Sequence, residues 1–123
     1  MKKLMLAVIV AAIPVTALPA QNMPLSQFLT KATALEKKGA MAVFSGDIGK
    51  LKKETSTSFK QLRDERLAAQ AAGKKPSYCP PDKGSLGVPE ILGHFRSIPE
   101  AQRGRMTTRD GFKSLLARKY PCG

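Results

Sequence analysis

Few residues in this chain could do chemistry. Its 123 residues include two cysteines, Cys79 and Cys122, and one histidine, His94. A cysteine pair can close a disulfide, hold a metal as thiolates, or cycle as a redox couple. Two distant cysteines and one histidine are too few soft ligands for a structural metal site, and the redox spacing Cys-x-x-Cys is absent. A structural disulfide between Cys79 and Cys122 is therefore expected in an oxidising compartment. Closing a loop of that length contributes about 4 kcal/mol in the chain-entropy treatment, a large part of the stability of a small domain. His94 lies mid-helix between Gly93 and Phe95, and with both thiols bridged it has no cysteine to activate. Serines and threonines are numerous, but none sits in the strand-turn-helix elbow that exposes a hydrolase nucleophile. Asp64, Glu65, Glu90 and Glu100 could be assembled into acid–base pairs on paper, yet read more simply as surface charges on helices. The expectation is no enzyme, no cofactor and no metal.

The elements that position these residues can be read in chain order. Met1-Lys2-Lys3 is followed by the apolar run Leu4 to Leu18 and the small-residue site Leu18-Pro19-Ala20, the pattern of a secretory signal peptide with an apolar core too short to span a bilayer. Cleavage is expected after Ala20, with Ala17 as the second choice and a membrane anchor as the competing reading. Residues 21–123 then form a single helical domain, since about 100 residues suffice for one small core and not for two.

Within that domain, Ser26 is placed to cap a first helix reaching about Lys37, with Leu25 as its hydrophobic staple and Phe28, Leu29, Ala32 and Leu35 as its buried stripe. Gly39 ends it. Ala40 to Phe44 reads as a buried helical turn. Ser45 or Asp47 caps the longest helix, about Ile48 to Ala72, whose Thr55-Ser56-Thr57-Ser58 patch is a poor helix former that marks either a kink or a break. Lys60 and Asp64 lie one turn apart on it as an opposite-charge pair. Gly73 and Pro76 stop it, and Cys79-Pro80-Pro81 forms a rigid turn.

Ser85 is then placed to cap a helix from Leu86 to about Ser97, with Pro89 in its first turn and Val88, Ile91, Leu92, Phe95 and Ile98 on its apolar face. Pro99 to Met106 is a basic linker. Thr107 and Asp110 make a capping-box-like start for a final helix, Thr108 to Lys119, that carries Phe112, Leu115 and Leu116 inward. The fold class is all-α, a small bundle of four to five helices with one disulfide. Reducing that bond is expected to loosen the last two helices first.

Lysine and arginine total 21 against nine acidic residues, a formal net charge of +12, of which Lys2 and Lys3 of the leader contribute two. Such a balance implies acidic partners or adhesion to an anionic envelope. The leader and the basic, Ala/Lys-rich composition point to the periplasm of a Gram-negative bacterium. A secreted chain meets peptidoglycan, lipid headgroups and proteins before nucleic acid, and its five phenylalanines fall mostly on core stripes. A nucleic acid partner is thus not expected.

The order of leader, small helical domain, Cys79-Pro80 turn, a helix with apolar Leu86, Val88, Ile91, Leu92 and Phe95, a linker holding Pro99, a last helix and a terminal Tyr120-Pro121-Cys122 resembles the Rap1a/Tai family. The resemblance covers about Ser77 to Cys122, with generic helices upstream. The family consists of periplasmic helical proteins, including immunity partners of type VI secretion peptidoglycan amidase toxins. It implies the same Cys79–Cys122 bond and a secreted amidase-type toxin as the protein partner. The chain departs from the family in one respect: members carry a further cysteine pair, and Ala40 to Gly49 holds none.

The function expected from these readings is non-catalytic protein binding in the periplasm, of which an immunity-type inhibitor of a peptidoglycan-cleaving toxin is the specific form. The candidate partner surface is Arg96, Arg103, Arg105 and Arg109, in and around the linker between the last two helices, because the guanidinium fork suits carboxylate-rich surfaces. A solvated basic loop is the alternative reading of those arginines. Two other functions stay open, a small periplasmic stress chaperone and a basic protein bound to peptidoglycan or anionic lipid. A homodimer also stays open, and no transmembrane segment is expected after the leader.

Overall fold

A computed structural model describes residues 22–123. The expected signal peptide and its cleavage site lie outside the described residues. Among the described residues the chain is an all-α bundle: α1 (Leu25–Lys38), a 3-10 helix (Gly39–Phe44), α2 (Gly46–Ala71), α3 (Val88–Ser97), the short α4 (Glu100–Arg103) and α5 (Thr108–Lys119). No helix among them is long and apolar enough to cross a membrane.

The core is built where the apolar stripes of α1, α2, α3 and α5 converge. Phe95 and Phe112 are fully buried, and α5 packs on α1, α2 and α3 at once. Phe28 meets Phe95 edge-on at 5.6 Å, Phe95 meets Phe112 at 5.0 Å, and Phe59 tilts against Phe112 at 4.8 Å. Edge-to-face pairs of this kind add to the area they bury. Among the described residues the core cluster runs from Met23 to Tyr120.

Helix boundaries follow local chemistry in α2 and α5. Ser45 accepts the Asp47 amide and caps α2, which runs without a break through Thr55–Ser58. The Thr55 hydroxyl donates to the Leu51 carbonyl at 2.8 Å, which absorbs its polar group inside the helix. Thr107 and Asp110 form a reciprocal capping box at the start of α5, and the helix ends at Lys119 as expected. The Lys60–Asp64 pair is not formed; both side chains are exposed, and the ion pairs of the described residues run mainly between helices.

Other boundaries depend on distant backbone. Helix α1 begins at Leu25 rather than after a Ser26 cap, and Leu25 is a fully buried helical residue, not a staple outside the helix. Pro24 has no capping side chain, so the first amide is satisfied from elsewhere: Leu25 N donates to Met106 O at 2.9 Å. The Thr108 amide and hydroxyl both donate to Met23 O at 2.8 Å, and the Met23 amide reaches Glu54 at 2.9 Å. The Leu25–Met106 bond stands in for the cap, and the others fasten the residue before Pro24 to α5 and α2. Helix α3 starts at Val88 after Gly87, with Pro89 in its first turn; Ser85 does not cap it. The linker contains the single turn α4.

The expectation for Ala40–Phe44 is only half right. The segment is helical, but Met41, Val43 and Phe44 are 64%, 71% and 80% exposed. Its packing is mainly against α1, and these three side chains are left facing solvent.

Candidate binding surface

Cys79 and Cys122 are bonded, with Cα atoms 5.0 Å apart. The bond does more than tether the C-terminus. Cys79 N donates to Tyr120 O at 2.8 Å, so the segment after α5 lies beside the segment that follows α2. This brings the chain's two tyrosines, Tyr78 one residue and Tyr120 two residues from a cysteine in sequence, into one region. Between α2 and the 78–86 loop they line a cleft of about 480 Å³. Phe59 of α2, Ile91 of α3, Leu116 of α5 and Leu86, Pro80 and Pro81 of the loop give its apolar surfaces; Arg63 and Arg66 of α2 and the single acid Asp82 of the loop give its charge, a net of one positive.

The cleft is held from several sides. Tyr78 is 6% exposed, and burial pushes its phenol pKa up, so the ring stays neutral. The Arg66 guanidinium stands 5.6 Å from the Tyr78 ring centre, within cation–π range. Its Nε is buried with no hydrogen-bond partner. At Gly84 a Cβ would come within 2.9 Å of the Tyr120 hydroxyl, so the absence of a side chain there lets Tyr120 lie against the loop. Arg63 is exposed and makes no ion pair among the described residues. The result is an apolar floor with two arginines along one helix, three residues apart and so on one side of it.

The four linker arginines are not gathered into one free patch. Arg96 pairs with Glu36 at 2.6 Å and reaches the Thr33 hydroxyl at 3.3 Å, which ties α3 to α1. Arg109 pairs with Glu65, tying α5 to α2. The Arg103 Nε donates to Ile98 O at 2.9 Å and fastens α4. Arg105 is exposed, with no side-chain bond among the described residues. Of the four, Arg105 and the remaining amino groups of Arg103 are free to meet a partner.

The acidic residues that could pair for catalysis are occupied or exposed singly. Lys113, at 2.6 Å, and then Arg109 hold the Glu65 carboxyl below its ordinary pKa despite desolvation. Glu90 accepts from Lys119 at 2.9 Å, while Asp64 and Glu100 are exposed. His94 Nε2 lies 2.7 Å from Ser114 Oγ beside a second cleft of about 400 Å³, a contact with no signal in the sequence. Ser114 Oγ donates to Gly111 O, which makes Nε2 the donor in that contact. His94 Nδ1 is buried without a partner. Among the described residues no carboxylate bonds the imidazole, and the Ser114 hydroxyl donates to the Gly111 carbonyl. The pair is built as a packing contact between α3 and α5. Burial, and next the charge of Arg118, lower the His94 pKa.

No group of three or more potential metal ligands occurs among the described residues. Neither family models, curated proteins nor solved structures give a match to this chain.

Proposed function

We propose that the chain is a non-catalytic protein-binding domain of the periplasm, and that the cleft between α2 and the 78–86 loop takes an acidic partner segment carrying an apolar or aromatic side chain. The observation that carries this reading is the pairing of an apolar floor with two arginines against one acid, Asp82: Arg63 is exposed and lacks any ion pair among the described residues, and Arg66 is held over the Tyr78 ring. A carboxylate meets a charge-assisted hydrogen bond there, while the neighbouring side chain is desolvated. The disulfide and the Cys79–Tyr120 backbone bond fix one wall beforehand, which reduces the ordering cost of association. The strongly positive net charge favours encounter with an acidic surface. The specific form of the reading is an immunity-type protein that masks a secreted peptidoglycan amidase, supported by the order of cysteines, prolines and helices after Ser77.

The reading is tested by placing a photoreactive residue at Ser85, in the cleft's loop, and at Lys52, exposed on α2, in chains exported to a Gram-negative periplasm. A defined protein adduct from position 85 and none from position 52 supports the proposal. Equal labelling at both positions, or none at 85, rejects it. Co-production with a periplasm-directed amidase toxin tests the specific form: survival that depends on the cleft arginines is expected, and no protection removes the immunity reading.

A further inference from the structure

A second surface, remote in sequence from the cleft, is formed by the 3-10 helix Gly39–Phe44 and the helix ends on either side of it. Met41, Val43 and Phe44 are the most exposed large apolar side chains of the described residues, except that Val88 is 66% exposed. Met41 and Phe44 are three residues apart, and in a 3-10 helix that spacing puts them on the same side. A contiguous exposed apolar cluster on a small basic domain is a mark of an interaction site.

The charge around this tip narrows the partner. Lys37 and Lys38 close α1 immediately before it, and Lys50, Lys52 and Lys53 lie within about 11 Å of the start of α2 along its axis. All five are exposed. The acids nearby are committed: Asp47 to Lys31 at 3.2 Å, Glu36 to Arg96 at 2.6 Å, and Glu54 to the Met23 amide at 2.9 Å. The tip is therefore apolar at its end, and its rim carries five exposed lysines beside acids that are already paired, Lys50 reaching Asp47 at 4.0 Å. A flat anionic surface with an apolar layer beneath its charges matches both features: lysines meet headgroups while the apolar side chains enter the headgroup–acyl boundary. A protein surface would have to supply an apolar pocket inside an acidic ring.

We infer that the Met41–Phe44 tip docks the domain on an anionic lipid bilayer, leaving the cleft free for its partner. This inference does not depend on the cleft's function, since no residue is shared between the two surfaces.

The chain has no tryptophan, so F44W places a single reporter at the tip. The test uses residues 21–123 and vesicles of roughly three parts phosphatidylcholine to one part phosphatidylglycerol, with pure phosphatidylcholine as the control. Co-sedimentation with the anionic vesicles, a blue shift of the introduced indole, and binding at least ~10-fold weaker for V43S/F44S and for the pure phosphatidylcholine vesicles are expected. Helical circular dichroism should be unchanged, because the substituted side chains are exposed. The inference is overturned if the protein does not bind the anionic vesicles, if it binds with unchanged indole emission, or if V43S/F44S binds equally well. Self-association that V43S/F44S abolishes, without vesicle binding, would assign the tip to a second copy of the chain instead.

Discussion

Gly93 and Gly111 lie in neighbouring helices, and the same substitution at each should move stability in opposite directions. In an exposed helix interior Gly→Ala gains about 1 kcal/mol from backbone entropy. At Gly93 of α3 nothing lies within 4 Å of an added Cβ, so that gain should appear undiminished. At Gly111 of α5 the Cβ would stand 2.9 Å from Phe95 Cε1 and 3.1 Å from Leu25 Cδ1. Both neighbours are fully buried, and Phe95 is wedged between Phe28 and Phe112, so neither can move aside. Overpacking of a filled core costs about 1–3 kcal/mol, and two rigid contacts place this site at the upper end. Against the entropy gain, G111A should lose about 2 kcal/mol while G93A gains about 1 kcal/mol. Urea unfolding followed by far-UV circular dichroism measures both. In thermal melts G111A should fall by roughly 10 °C and G93A rise by roughly 5 °C. Stabilisation by both substitutions would mean that α5 does not approach α1 and α3 as closely as described, and the convergence of the helices on Phe95 would be wrong.

Replacing both cysteines by alanine should cost about 4 kcal/mol, from the separation of 43 residues between them. The first backbone amides to lose hydrogen-exchange protection should be those of the 76–87 segment and of Tyr120 to Gly123, with α5 retained because Phe112, Leu115 and Leu116 hold it in the core; simultaneous loss from α3 and α5 would restore the expectation drawn from sequence. S58A should stabilise by about 1 kcal/mol, since the Ser58 hydroxyl is buried with no partner, and an unchanged urea midpoint would show that the hydroxyl is satisfied in solution. Folding holds the His94 pKa below its ordinary 6.5, so as pH falls through that value the unfolded chain takes up the proton first and stability drops until the folded pKa is passed. H94Q should flatten the change in urea midpoint between about pH 7.5 and about pH 5.5, a window above the titration of Glu65; the same slope in both proteins would contradict it.

What could be read from sequence was local. Helix α5 is legible because Thr107 and Asp110 carry their capping interaction within three residues, and α2 because Ser45 opens a long run of helical spacing. The start of α1 is not, since its first amide donates to Met106 O, more than eighty residues away in the chain. The same distance hides the partners of the arginines: nothing in the order of residues links Arg96 to Glu36 or Arg109 to Glu65, so four basic residues near one linker read as a common patch. Ala40–Phe44 reads as buried because apolar composition carries no information about whether a second surface faces it. One signal of the cleft was present. Tyr78 adjoins Cys79 and Tyr120 lies two residues from Cys122, so a bond between the cysteines brings the tyrosines together.

The central claim is that the partner is taken by the cleft, through Arg63 and Arg66, and not by the linker arginines. Quantifying the position-85 photoadduct in the native chain, in R63A/R66A and in R103A/R105A, each checked for the native disulfide and helical content, tests it directly. Loss of about nine-tenths of the adduct in R63A/R66A, with most of it retained in R103A/R105A, is expected from removing two charge-assisted hydrogen bonds at the cleft. Full adduct in R63A/R66A, or its loss only in R103A/R105A, would place the partner on the linker and contradict the cleft as the binding site.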